Sequence, residues 1–153
     1  MNNLFNTQFE ISLRTLIILA TSGGHCETAD MIAAADFITV YGRDFGISGM
    51  NLHGDNNYRF SEFVLRRELV KKAVKLLVVY GLINVSTTDN GFSYSINQNG
   101  IAYCAKFTTD YADTYRRLAK QTRTYIADKS EREIFKLINQ HSLFSLQRSE
   151  IDV

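Results

Sequence analysis

The spacing of apolar residues changes at Gly81 and again at Asn97, and these two changes limit the possible folds more than any other feature of the chain. Before Gly81 the spacing is helical. A helix from an N-cap at Ser61 to a stop at Gly81 would carry Leu65, Leu69, Ala73, Leu76, Leu77 and Tyr80 on one broad face. Arg67, Glu68, Lys71, Lys72 and Lys75 would fill the opposite arc. Beyond Gly81 the period drops to two. Ile83 and Val85 alternate, Asp89-Asn90-Gly91 supplies a turn, and Phe92, Tyr94 and Ile96 alternate back, which predicts a β-hairpin. Asn97 then caps a short helix over 98–107. A long helix that runs through Gly-Leu-Ile straight into a hairpin has the sequence shape of a winged helix-turn-helix.

The segments upstream fit that shape. Thr7 and Glu10 form a capping box ahead of Phe9, Leu13, Leu16, Ile17 and Ala20, and Ser22-Gly23-Gly24 ends this first helix. A second helix runs from about Thr28, through Met31, Ile32, Ala35 and Ile38, to Tyr41 and Gly42. The stretch YGRDFGISGMNLHGDNNYRF (41–60) follows and holds four of the nine glycines. Downstream, Tyr111, Tyr115, Leu118, Thr122 and Tyr125 repeat at spacings of four and three between Thr109 and Ala127. Ser130 and Glu133 form a second capping box for a short helix, and the tail LFSLQRSEIDV is expected to fray. The predicted class is mainly α with a small β-hairpin (α+β). A winged helix-turn-helix domain would span 1–107 with a long glycine-rich insertion at 42–60, and a C-terminal helical extension and tail would span 108–153.

With 153 residues, 45% of them apolar, the chain can bury one real core. Formal net charge is +1, so the whole molecule is not a polycation built for nucleic acid. The charge is uneven: residues 1–54 hold two basic and five acidic side chains, and 55–153 hold fifteen and eleven. Any electropositive surface must come from the second part. Cys26 and Cys104 are too few for a disulfide framework and read as reduced thiols of a cytoplasmic protein. The start, MNNLFNTQFEISLR, lacks the pattern of a signal peptide, and the longest apolar run, LIILA at 16–20, is too short for a bilayer. Without a single proline, turns fall to Gly, Asn, Asp and Ser.

Several chemistries can be weighed from the residues. His25 and Cys26 are neighbours, but His53, Cys104 and His141 supply no second ligand pair, so no metal site is expected. His53 and Asp55, with Asp44 and Arg59 nearby, have the residue types of an acid–base group but no catalytic partner elsewhere. The glycines match no P-loop pattern. A long polar loop of this kind reads better as a shaped connector. Within it Tyr58, Arg59 and Phe60 would anchor a partner while Asn51, His53 and Asp55 fix the loop's shape. On the third helix Arg67, Lys71 and Lys75 lie one turn apart and could meet phosphates or an acidic protein surface, or simply face water. The Asn and Gln that read bases are missing from its interior. The tyrosine seam either packs on the core or forms an interface through Tyr111, Tyr115, Arg116, Leu118 and Tyr125.

Six segments also carry a family likeness: FNTQFEISLR (5–14), DFITVYGRDFG (36–46), NLHGDNNYRFSEFVLRRELV (51–70), GLINV (81–85), GFSY (91–94) and YADTYRRLA (111–119). Over about residues 5–120 the chain resembles the middle components of prokaryotic ABC-three-component systems, the group that includes the Lamassu anti-phage and anti-plasmid systems. Ser48 departs from the proline expected at that loop position. The resemblance implies a small non-enzymatic adaptor without cofactors. It would dock on an SMC-like ABC ATPase and link or restrain a nuclease-type effector. DNA would be met mainly through the complex, and no membrane is involved. The alternative is a winged-helix DNA-binding regulator that contacts phosphates through Arg67, Lys71 and Lys75. A third reading is a small enzyme centred on His53 and Asp55.

Overall fold

Threonine, serine and asparagine caps set most helix starts in the computed structural model, which describes residues 7–53, 59–89 and 91–151, without the side chains of 59–61 and 142–151. Thr7 accepts from the Glu10 amide and opens α1 (Gln8–Ala20); Thr28 accepts from the Met31 amide and opens α2 (Ala29–Val40). After α3 (Arg59–Val79), Gly81 takes φ +73°, a left-handed turn that suits glycine, and the chain enters β1 (Ile83–Thr88). That strand pairs antiparallel with β2 (Gly91–Ile96) in the register Ile83↔Ile96, Val85↔Tyr94 and Thr87↔Phe92. Asn97 caps α4 (Gln98–Cys104), Thr109 caps α5 (Asp110–Ile126), and Ser130 accepts from the Glu133 amide to start α6 (Glu131–Ile151). The described chain is thus mainly helical with one small two-stranded antiparallel sheet. The turn residue Asn90 lies outside the described residues.

The core is built around α1 and α2. Nearly every residue from Ile32 to Val40 is enclosed, and α1 is buried from Leu13 to Leu19. Helices so apolar around their whole circumference must be covered on all sides. α3 and α5 cover α2, with α6 against both α2 and α3. Tyr115, Ala119 and Ile126 of α5 and Ile134 and Ile138 of α6 join the same apolar cluster as α1, α2 and α3. Glu27, between α1 and α2, exchanges two 2.8 Å backbone hydrogen bonds with Tyr94 and lays a single bridge against the hairpin.

Three expectations need correction. Ser61 lies inside α3, which starts at Arg59, so it is not the N-cap. The buried stripe of α3 is Phe63, Arg66, Val70, Ala73, Val74 and Leu77, whereas Leu65, Leu76 and Tyr80 stand exposed. The helix is turned relative to the leucine face because an arginine, Arg66, goes inward. At the other end, helical structure runs to Ile151, beyond the short helix and frayed tail expected there.

Gly100 sits buried where α4 packs on the base of the hairpin. A methyl there would collide with the Leu82 carbonyl oxygen and the Ile96 side chain. In an open helix Gly→Ala adds up to ~1 kcal/mol of stability. Here Gly100→Ala should instead cost about 2 kcal/mol through overpacking against backbone, read as a lowered urea midpoint at unchanged m.

Candidate functional site

The most unusual group in the interior is ionic. Arg14 of α1 forks onto Asp36 of α2, with Nε at 2.9 Å and NH2 at 3.3 Å. Arg66 of α3 brings its Nε to 3.3 Å from Asp36 Oδ2, which it shares with Arg14, and its NH2 to 2.8 Å from Glu62. Tyr115 of α5 donates its hydroxyl to Asp36, and Tyr41 donates to Glu62. The Arg66 guanidinium also lies over the Phe37 ring, 5.6 Å from its centre. Two guanidinium groups face two carboxylates, so the cluster balances in charge. Burial pushes the Asp36 carboxyl up, but the two arginines and the bonds from Arg14 and Tyr115 outweigh it and hold it at about 2. Burial and the neighbouring Asp36 charge push the Tyr115 hydroxyl well above its ordinary range. Asp36 and Tyr115 are each held in one state, which suits a scaffold and not acid–base catalysis.

The glycine-rich stretch folds back onto this cluster. Gly42 starts a tight turn, its carbonyl accepting from Phe45 and Ile47, and Gly46 takes φ +72°. Asn51 is buried, accepts from the Arg43 amide at 3.1 Å and donates to Asp44, and the Leu52 amide returns to the Val40 carbonyl at 2.8 Å. Asn51 therefore holds the loop's shape. His53 points inward too: its Nε2 lies 2.7 Å from the Tyr111 hydroxyl, and the two rings stack at 16°. Burial first, then the positive charges of Arg14 and Arg66, lower its imidazole to about 3. Asp55, Tyr58 and the side chains of Arg59 and Phe60 lie outside the described residues.

The tyrosine seam of α5 faces the core. Tyr115, Leu118 and Thr122 are enclosed, with Thr122 hydrogen-bonded to Thr39 of α2 at 2.8 Å, and Tyr111 and Tyr125 are half-buried. Of the two roles open to the seam, core or interface, Tyr115 and Leu118 take the core one within the folded chain. Arg116 is occupied as well, bonding the Cys104 carbonyl at 2.6 Å and Asp113 at 2.9 Å. Sequence spacing did not single out Arg123, which donates to Thr21 and to the Ile18 carbonyl and pairs with Glu27. It thereby caps the C-terminal end of α1 from α5.

The basic arc of α3 is divided. Arg67 is forked onto Asp30 with two 3.1 Å bonds and lies over Phe135. Lys71 pairs with Glu68, and Lys71 and Lys75 share a depression with Asp30 and Glu131. Three positive groups thus lie among acids rather than forming a row for phosphates. Between and beside them, α3 shows water Val64, Leu65, Leu76, Val79 and Tyr80, with Val79 80% and Tyr80 71% exposed.

Leu76 and Tyr80 form one wall of an apolar groove of about 460 Å³. Leu13, Leu16, Leu77 and Leu82 line it with them, and Phe9, Tyr103 and Phe107 supply aromatic walls. Phe9 packs 5.8 Å from Phe107, and Phe107 lies 5.3 Å from Tyr103, centre to centre. Its polar groups are the side chains of Gln8 and Ser12 and the hydroxyls of Tyr80 and Tyr103, and no charged side chain lines it among the described residues. Large side chains left this exposed around an apolar depression mark an interaction surface. Spacing alone could not find it, since its walls come from α1, α3 and α4.

No group of three or more His, Cys, Asp or Glu side chains that could hold a metal ion occurs among the described residues. No helix there is long and apolar enough to cross a membrane. Residues 4–148 match the family model described as ABC-three component (ABC-3C) system Middle Component 2. No curated protein and no solved structure matches the chain.

Two measurements check the electrostatics. Asp36→Asn leaves two buried guanidinium groups facing one carboxylate and should cost about 3–5 kcal/mol of unfolding free energy by urea titration. His53 is protonated near 6.5 when unfolded but refuses the proton until about 3 when folded. Its contribution is therefore complete above 6.5 and is lost as pH falls. Between about pH 7 and pH 5 that loss is about 2 kcal/mol. Asp36, held at about 2, adds its own loss only below its ordinary 3.8. His53→Gln keeps a polar group beside Tyr111 without titrating and should flatten the pH 7 to 5 slope.

Proposed function

The chain belongs to the Middle Component 2 family of ABC-three component systems, and from that premise we propose that it is a non-enzymatic adaptor of a defence complex directed against phages or plasmids, of the Lamassu kind. It docks on an SMC-like ABC ATPase and links a nuclease-type effector to it. The observation that carries this reading is the outward face of α3, which is rich in apolar residues and contains no Asn or Gln. In a winged helix-turn-helix arrangement, favoured by the Glu27–Tyr94 bridge onto the hairpin, this third helix is the element that would enter a DNA groove. Exposed Val64, Leu65, Leu76, Val79 and Tyr80, interspersed with Lys71, Lys72 and Lys75, suit a protein surface better than base edges. The engagement of Arg67 by Asp30 weighs in the same direction.

The adaptor reading predicts that the chain, co-expressed with the ATPase and the third component of its system, co-purifies with at least one of them. Alone, it should not retain duplex DNA even at low salt, where phosphate contacts are strongest. Tight, salt-dependent retention of duplex by the isolated chain, lost in Lys71→Glu with Lys75→Glu, would replace the adaptor by a DNA-binding regulator.

A further inference from the structure

Resting on the adaptor reading, we propose that the groove between α1, the C-terminal end of α3 and α4 receives one amphipathic helix of a partner subunit, with acidic residues flanking its apolar face. The lining is mostly apolar and aromatic, with Gln8, Ser12 and the hydroxyls of Tyr80 and Tyr103 as its polar members among the described residues. A charged small ligand would need a counter-charge to hold it, and no charged side chain lines the groove among the described residues. A helix needs none, because its backbone is satisfied internally and its side chains at i, i+3, i+4 and i+7 supply the contact. The walls also stand in water, Phe9 58% and Tyr80 71% exposed, as suits an open trough that a chain segment lies along.

Charge decides what flanks that helix. Lys72 sits one turn before Leu76 on the α3 wall, and Lys106 adjoins Phe107 on the α4 side. Both are exposed and neither forms an ion pair among the described residues. The carboxylate nearest Phe9 in sequence, Glu10, is half-buried and does not line the groove. The groove thus has no charged side chain in its described lining, and an exposed lysine neighbours that lining in sequence on two elements, Lys72 one helical turn from Leu76 and Lys106 next to Phe107. An approaching helix with Asp or Glu beside its apolar residues gains steering and register from both. A second copy of this chain would bring lysines to lysines if it docked by the same face, which disfavours self-association there.

The test uses complexes of the full chain purified from cells that co-express the ATPase and the third component. Leu76→Asp with Tyr80→Asp alters positions 38% and 71% exposed, so circular dichroism should show the wild-type helix content, while acids at a helix C-terminus lower the thermal midpoint by a few degrees at most. The complex should weaken by at least about tenfold, as expected for loss of a buried anchor. Lys72→Glu with Lys106→Glu should weaken it by roughly tenfold at low salt, the difference shrinking near 0.5 M salt. Carbodiimide cross-linking should join Lys72 or Lys106 to Asp or Glu within a helix of the partner. The proposal is overturned if the Leu76/Tyr80 variant keeps its complex, or if the cross-links fall in a strand or loop. It is equally overturned if that variant only dissolves a dimer of this chain, or if native mass spectrometry finds a small apolar molecule in the groove. A wild-type chain that co-purifies with neither component instead removes the adaptor reading itself, and this inference with it.

Discussion

Asp36 is the point on which four helices agree. It is enclosed in the middle of α2, and its partners come from α1 (Arg14), α3 (Arg66) and α5 (Tyr115). An ion cluster in an apolar interior gains little over well-packed hydrocarbon, because each charge has given up its water. What it supplies is selectivity. If any helix were rotated by one residue or slid by one turn, a buried charge would lose its partner at a cost of several kcal/mol. Apolar contacts tolerate such shifts, and the cluster does not. The rest of the architecture then falls into place: α3 must turn Arg66 inward, α5 must present Tyr115, and His53 is carried against Tyr111.

That demand explains what could and could not be read from the residues. Helix starts were legible because caps are local: Thr7, Thr28, Asn97, Thr109 and Ser130 each sit at a start. The hairpin was legible because alternation and a turn are local too. The buried face of α3 was not. Periodicity assigns arginine to water and leucine to the core, yet Arg66 is enclosed and Leu65 is 55% exposed. The information that reverses the assignment lies far off in sequence, in Asp36 and Arg14, and only tertiary contact brings it to bear. The motifs that carried the family likeness did contain the answer in another form. Arg14, Asp36, Tyr41, Glu62, Arg66 and Tyr115 all fall within the segments 5–14, 36–46, 51–70 and 111–119.

The glycine-rich loop shows how composition alone can mislead. Asp, Asn, His and Gly together have the look of a reactive site. In the fold, Asn51 is spent on the Arg43 amide and on Asp44, and His53 lies against Tyr111 with its imidazole held neutral. A general base must change protonation near the working pH, and a group at about 3 with its ring stacked on a neighbour is poorly placed to do so. These residues hold the end of α2 and its following loop in one shape.

A rigid interior and an apolar exterior belong together in this chain. The groove's walls come from three helices, so its form depends on their relative positions, which the Asp36 cluster, the Arg123 cap on α1 and the Gly100 contact with Leu82 all restrain. A preformed apolar trough pays little ordering entropy on binding, so more of the contact energy appears as affinity. The same rigidity explains why large side chains such as Phe9 and Tyr80 stay out in water: the core they would otherwise join is already filled and electrostatically locked. Their exposure follows from a specific core, and a second protein surface is the most direct way to bury them.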